Sequence, residues 1–259
     1  GVSASGEFRD VLAIFDQLRE RNLCIGISHV PGSSITRLAA MTLLSGGGPS
    51  RVPVMTKTYA STLTAAHLLI LETLEASDEV FGALEETAGL VQAGLEANYA
   101  SIEDLAKRIS SLEHAFYFGA GPAYATALEG ALKMKEMALL HAEGSETWEM
   151  ASGPATMVGE KTLTVALYSG DENDAATAEG ARHAEQWGAP VVEVGPHAYT
   201  GGSHIQMQVS KFSPFASLSL VPPAALLAFR VARLRGLDPD HPKWSERYRS
   251  QGMSHILGE

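Results

Sequence analysis

Cysteine occurs once in these 259 residues, at Cys24. One thiol cannot close an intrachain disulfide, and it excludes metal sites built on paired cysteines. Basic residues are also scarce: 19 Lys and Arg face 30 Asp and Glu, for a formal net charge of −11. A surface that tracks nucleic acid needs clustered cations, so no nucleic-acid partner is expected. The chain also lacks an apolar run of the roughly 20 residues that a membrane helix requires. The closest, Pro214–Phe229, holds a Pro-Pro pair and is followed by Arg230, so it reads as a buried helix. No signal peptide is visible, and the expected setting is cytoplasmic with no membrane partner. The nine histidines show no HExxH spacing. Walker loops, nucleophile elbows and intact dinucleotide fingerprints are missing too, so neither metal nor cofactor is expected. The chain opens on Gly1 rather than Met, which leaves room for a segment upstream.

What is present is an ordinary globular mixture, 45% apolar and 19% charged, long enough for one large or two modest cores. Short apolar strands alternate with helical patterns, which predicts an α/β fold of parallel sheets flanked by helices. An amphipathic helix follows a loop at Val2–Gly6, with Val11, Leu12, Phe15 and Leu18 on one face. Leu23–Ser28 reads as a strand, PGSSITRLAA as a turn into a helix, and Gly46–Pro53 as a Gly/Pro-rich loop. Helix is expected from Thr56 to Leu74 and onward to about Leu112. The pattern then restarts. Strands are expected at His114–Phe118, Leu163–Leu167, Val191–Val194 and Ile205–Val209, with helices at about Ala123–Leu140, Ala175–Trp187 and Phe215–Arg235. The expected domains are 1–105 with connecting helices, and 106–259 with a charged tail.

Several segments carry candidate chemistry. Gly119-Ala120-Gly121 lies between a strand and a helix, where backbone amides can meet a ligand or simply make a tight turn. In the helix that follows, Glu129, Lys133 and Glu136 fall on one stripe at i+4 and i+3 spacing. A solvated salt-bridge face would look the same. The small apolar surroundings, ALEGALKMKEMALL, favour a packed helix with ionisable groups at its edge, and a half-buried carboxylate can trade protons near neutrality. Ser3 and Ser5 precede a helix, as N-cap or as phosphate ligands, and Ser33-Ser34 invites the same two readings. Thr56-Lys57 can supply a hydroxyl and a cation at a helix start, and His141 reads as a helix-end or core hydrogen-bonding residue rather than a catalyst.

The stretch GAGPAYATALEGALKMKEMALLHAE resembles the second SIS (sugar isomerase) domain of the phosphosugar isomerases related to glucosamine-6-phosphate synthase. PGSSITRLAA, TKTYASTLTA and LLAFRVARLRGLDPDHPK resemble that family in the family's order, so the resemblance spans nearly the whole chain. It implies two flavodoxin-like SIS domains, the first lacking its opening strand–helix unit. It does not extend to a glutaminase domain or an N-terminal cysteine nucleophile, so glutamine hydrolysis is not expected. By resemblance, Glu136 is the catalytic acid/base that moves a proton between the first two sugar carbons, with Lys133 near the sugar oxygens. Ser3 and Ser5 match serines of the phosphate loop, and Thr56-Lys57 match a pair beside the same site.

The sequence departs from the family pattern at four of these places. Ala4 stands for a glutamine and Phe8 for a phosphate-binding threonine. Ser152 replaces the histidine used in sugar-ring opening, and Arg247 replaces a tail lysine able to form a Schiff base, chemistry closed to arginine. The resemblance implies a phosphorylated sugar or amino sugar as ligand, aldose–ketose isomerisation as the reaction, and a homodimer that shares the Ser152 position. Cleavage of a sugar–amine bond, a non-catalytic sensor and an unphosphorylated ligand are the alternatives.

Overall fold

The structure, a computed structural model, describes residues 1–48, 50 and 52–251. Pro49 and Arg51 of the expected Gly46–Pro53 loop, and the tail from Gly252 on, lie outside the described residues. The chain divides into two compact units. One is Gly1–Ala76 with the segment that starts at Asp240, and the other is Ser77–Pro239.

In the first unit, strands β1 (Ile25–Ser28) and β2 (Met41–Leu44) pair in parallel, Ile25 opposite Met41 through Ser28 opposite Leu44. Val2 joins the other side of β1 through a parallel bridge to Ile27. Ser3 N–H donates to Ile27 O at 3.0 Å, and Ile27 N–H donates to Gly1 O at 2.9 Å. The expected Val2–Gly6 loop therefore begins as an extended strand segment beside β1. Helix α1 (Arg9–Leu18) lays Phe15, Val11 and Leu12 on Cys24 and Ile35, which form the small core of this unit. The expected PGSSITRLAA helix is only five residues, α2 (Ser34–Leu38), because the chain turns extended at Ala39 and enters β2. Helix α3 (Lys57–Thr73) follows. The segment from Asp240 contributes a short helix, Lys243–Ser250.

The second unit opens with the long helix α4 (Asp78–Ile109), whose buried Asn98, Ile102, Leu105, Ala106 and Ile109 repeat at helical spacing. The expected domain break after residue 105 falls inside this uninterrupted helix. A five-stranded parallel sheet follows in the order β4-β3-β5-β6-β7, from β3 (His114–Gly119), β4 (His141–Glu146), β5 (Thr162–Leu167), β6 (Val191–Gly195) and β7 (Ser203–Gln206). That order, 2-1-3-4-5, is the flavodoxin-like one. Every residue of β5 is buried, as befits a strand covered by helices on both faces. The helices are α5 (Pro122–Ala138), α6 (Thr147–Ser152), α7 (Asp174–Gln186) and α8 (Ala216–Leu234). Helices α5 and α4 pack on α8, while α7 packs on β5 and β3.

The apolar run around Pro214 forms α8 and is mostly buried. Its Pro222 and Pro223 lie inside the helix, where neither has an N–H to donate to the preceding turn. Edge strand β7 is closed by Asn98, whose amide donates to Gln206 O at 2.8 Å and accepts from Gln206 N at 3.2 Å. A side chain thereby satisfies an edge that would otherwise invite pairing. Strand β4 is a correction to the expected helix end at His141. Leu139 takes a left-handed φ of 50° that stops α5, and His141 pairs opposite His114.

Candidate functional site

The distinctive chemistry of the second unit lies on α5. Gly121 opens the helix with φ +54°, and Pro122 occupies its first turn, where a missing N–H costs nothing. The helix then presents Glu129, Lys133 and Glu136 on one stripe. Lys133 Nζ stands 2.5 Å from Glu136 Oε2 and 3.2 Å from Glu129 Oε1. The three side chains are 2%, 25% and 9% exposed in the order Lys133, Glu136, Glu129. This gradation decides their possible roles. The ammonium is fully inside, one carboxylate is buried with it, and Glu136 alone reaches solvent. Burial pushes the Glu129 carboxyl above its ordinary range, and the Lys133 charge opposes that push. Without the ammonium between them, two carboxylates two turns apart would repel each other in a poorly solvated pocket.

The glycine turn does not belong to this cluster. Gly121 and Glu136 are separated by fifteen positions of one helix, which at 1.5 Å per residue is roughly 20 Å. Gly119 and Gly121 are explained by packing instead. A Cβ on Gly119 would stand 2.8 Å from Ala123 Cβ, and one on Gly121 would stand 2.8 Å from Asn173 Nδ2. The carboxyl ends of β3 and β5 form the topological switch point, where ligands of such sheets ordinarily bind. Here that place holds the chain's own groups. Asp174 accepts from Ser169 N at 2.9 Å and from Gly170 N at 3.1 Å, and Asn173 is held by Asp171. Burial raises the Asp174 carboxyl above its usual value, against the pull of the Gly170 and Ser169 amides.

A third buried carboxylate, Glu193 on β6, is fully enclosed and accepts four hydrogen bonds. They come from Tyr168 Oη, Tyr199 N, Thr200 N and Thr200 Oγ1, at 2.7–3.1 Å. It organises the loop between β6 and β7. The apolar strand VVEV gave no hint of so complete a network. Ser152 ends α6, exposed, with its hydroxyl donating to Trp148 O at 2.9 Å. His141 is exposed, with its ring edge-on to His114 at 5.6 Å.

In the first unit, Ser3 and Ser5 sit at the carboxyl end of the Val2 segment. Ser3 is buried, and its Oγ accepts from Gly6 N at 3.0 Å and Phe8 N at 3.3 Å. Ser5 Oγ accepts from Glu7 N at 3.2 Å. Gly6 takes φ +76° and packs so closely that a Cβ would stand 2.0 Å from Ser33 Oγ. Ser33 Oγ itself is buried without a partner. Glu7 accepts from Ser34 N at 2.8 Å, and hydrogen bonding to Ser34 holds its carboxyl below the usual range. Thr56 precedes α3 as an N-cap with no side-chain capping bond, and Thr56 and Lys57 are both exposed. The residue that ties these segments together, His29, was not singled out from sequence. Its backbone N donates to Ala4 O and its ring reaches α3. Arg247 is exposed on the helix Lys243–Ser250.

The SIS-domain family model matches residues 108–195, which run from the end of α4 through β6. Residues 108–195 are a SIS domain. Along 247 residues it is 32% identical to the glutamine–fructose-6-phosphate aminotransferase (isomerizing) of Methanothermobacter thermautotrophicus. That match covers 93% of this chain but only 41% of the relative, so the chain spans well under half of the curated proteins it resembles. Among solved structures, the C-terminal domain of glucosamine-fructose-6-phosphate aminotransferase from Francisella tularensis superposes with a TM-score of 0.86. It is 24% identical over 93% of this chain and 72% of that one, a likeness of fold. A glucosamine-6-phosphate deaminase from Thermotoga maritima gives a TM-score of 0.77 at 26% identity, with the same coverage. The SIS assignment accounts for the parallel sheet order and for the position of ALEGALKMKE on the helix after the first strand of the second unit.

Proposed function

We propose that this chain binds a sugar phosphate and catalyses aldose–ketose exchange, with Glu136 as the acid/base. The observation that carries the proposal is the buried Lys133 locking Glu136 Oε2 at 2.5 Å while Glu136 keeps access to solvent. A hydrogen on the carbon next to a carbonyl is acidic enough for a positioned carboxylate to remove. Glu136 takes that proton while the carbonyl oxygen gains one from water, giving an enediol or enediolamine; the same carboxyl then returns its proton to the neighbouring carbon as the other hydroxyl or amino group gives one up to water and becomes the new carbonyl or imine. Lys133 fixes the carboxylate, while Glu129 keeps the ammonium in place. No cofactor is needed for this step.

The phosphate-holding groups of the proposal are Ser3, Ser5, Thr56 and Lys57, hydroxyls and a cation at loop and helix starts suited to an oxyanion. Pairing of two copies would present Ser152 to a neighbouring site, and Arg247 would act as a fixed cation rather than as an amine. A cytoplasmic setting goes with these substrates. Incubation with fructose 6-phosphate and detection of an aldose phosphate tests the reading. Glu136→Gln, nearly isosteric, should fold normally and lose about 10²–10⁴-fold in rate. Undiminished turnover in that variant would sink the assignment.

A second reading is supported by the 26% identity to a glucosamine-6-phosphate deaminase. Release of ammonia from glucosamine 6-phosphate would use the same carboxylate for the same proton. Supplying each sugar phosphate separately distinguishes the two reactions. Binding of both with conversion of neither would indicate a sensor, in keeping with Ala4, Phe8, Ser152 and Arg247 at the departing positions.

A further inference from the structure

His29 follows β1 and is 7% exposed. Its ring Nε2 lies 3.0 Å from Thr58 O and 2.9 Å from Thr62 Oγ1, both on α3. A carbonyl oxygen only accepts, so Nε2 carries a proton and donates to Thr58 O. The other ring nitrogen, Nδ1, is buried and has no partner among the described residues. The backbone of the same residue points the other way, since His29 N donates to Ala4 O at 3.1 Å, inside the Ser3–Ser5 loop. The neighbouring Ser28 Oγ donates to the same oxygen at 3.3 Å, and Ser45 N donates to Ser28 O at 3.0 Å. The carboxyl ends of the Val2 segment, β1 and β2 are thus gathered at Ser28–His29. The loop after β2 closes on the ring: a Cβ on Gly47 would stand 3.2 Å from His29 Cε1 and 2.3 Å from Ser61 Oγ.

Among the described residues, Thr56 makes no side-chain capping bond, Thr58 Oγ1 has no partner, and Ser61 Oγ donates back into its own helix. We infer that His29 is a positioning residue that holds the first turn of α3, with Thr56 and Lys57, in register with the Ser3–Ser5 loop and so sets the affinity of the first unit for a phosphate group. This rests on the phosphate-site reading above.

The test compares wild type, His29→Ala and His29→Gln, whose side-chain amide can reproduce the Nε2–H donor at similar reach. Calorimetry measures binding of inorganic phosphate, fructose 6-phosphate and fructose, and hydrogen exchange follows amides 3–8 and 60–64. His29→Ala should weaken phosphate and fructose 6-phosphate by about tenfold, with fructose unaffected and His29→Gln within about twofold of wild type. Exchange at 60–64 should quicken in the alanine variant only. Amides 3–8 should hold, because the bond from His29 N to Ala4 O survives the substitution. The inference is overturned if His29→Ala leaves phosphate affinity and α3 exchange unchanged. It is also overturned if exchange quickens throughout the unit and glutamine restores nothing, the mark of a general packing role. Failure of wild type to bind any phosphate compound would overturn the phosphate-site reading, and the exchange pattern would then decide the His29 link by itself.

Discussion

Two loops of this chain share one backbone design and put it to different uses. Ser5-Gly6-Glu7 and Ser169-Gly170-Asp171 each leave the end of an extended segment in a parallel sheet, turn at a glycine with φ +76° or +77°, and lead into a helix. In the first loop the amides rest on neutral hydroxyls: Gly6 and Phe8 on Ser3 Oγ, and Glu7 on Ser5 Oγ. In the second they rest on a carboxylate, Asp174, fixed at the first residue of α7. A hydroxyl can rotate to serve a second acceptor, whereas a fixed anion repels one. The switch point of the second unit therefore has the geometry of an anion site and is filled by the protein itself. Its charged chemistry sits elsewhere, on the far half of α5.

The largest expected effect that sharpens this contrast comes from Lys133→Met. Removing the buried cation strands Glu129, so stability in a urea melt should fall by about 3–5 kcal/mol. A loss below about 1 kcal/mol would mean the cluster is better solvated than its burial indicates. Ser3→Ala comes next. It removes the Phe8 amide's acceptor and one of the two that Gly6 N serves, the other being Ser3 O at 3.0 Å, and should cost about 1 kcal/mol.

A smaller effect belongs to Asp174. Burial raises its folded-state pKa above the unfolded value, so the native state binds the extra proton first. Stability should therefore rise as pH falls from 7 toward the ordinary carboxylate range. Asp174→Asn should flatten that rise in part, with the remainder left to Glu129, which is shifted in the same direction. An unchanged slope in the variant would break the comparison, since the carboxylate would then not be held against its solvation. The smallest effect is at Ser152, exposed and bonded only within its own helix. Ser152→Ala should move stability by less than about 0.5 kcal/mol.

Much of the second unit was legible because its strands are apolar runs between helical patterns. LTVAL and VVEV are buried at the sheet centre and announced themselves by composition. HAEGSE and MTLL did not. The first is half polar, and the second leaves Met41 and Leu44 exposed at an edge. Pairing with β3 and β1 makes them strands, and pairing is a tertiary fact that local propensity does not contain. The same holds for the segment after Asp240, which local pattern cannot assign to the first unit. On α5, the closeness of Lys133 and Glu136 followed from their three-residue spacing. The depth of the ammonium and the burial of Glu129 did not, since an exposed salt-bridge stripe has the same spacing. His29 was opaque for a similar reason. Its partners are 25 to 33 residues away, and nothing in SHVPG indicates which way the ring turns.

The central claim is that Glu136 moves a proton on a sugar carbon. The most direct measurement is wash-in of solvent deuterium next to the carbonyl of fructose 6-phosphate, followed by proton NMR with wild type and Glu136→Gln side by side. The account predicts deuterium in the wild-type sample and almost none with the glutamine variant at equal binding. Equal incorporation by both proteins would contradict it.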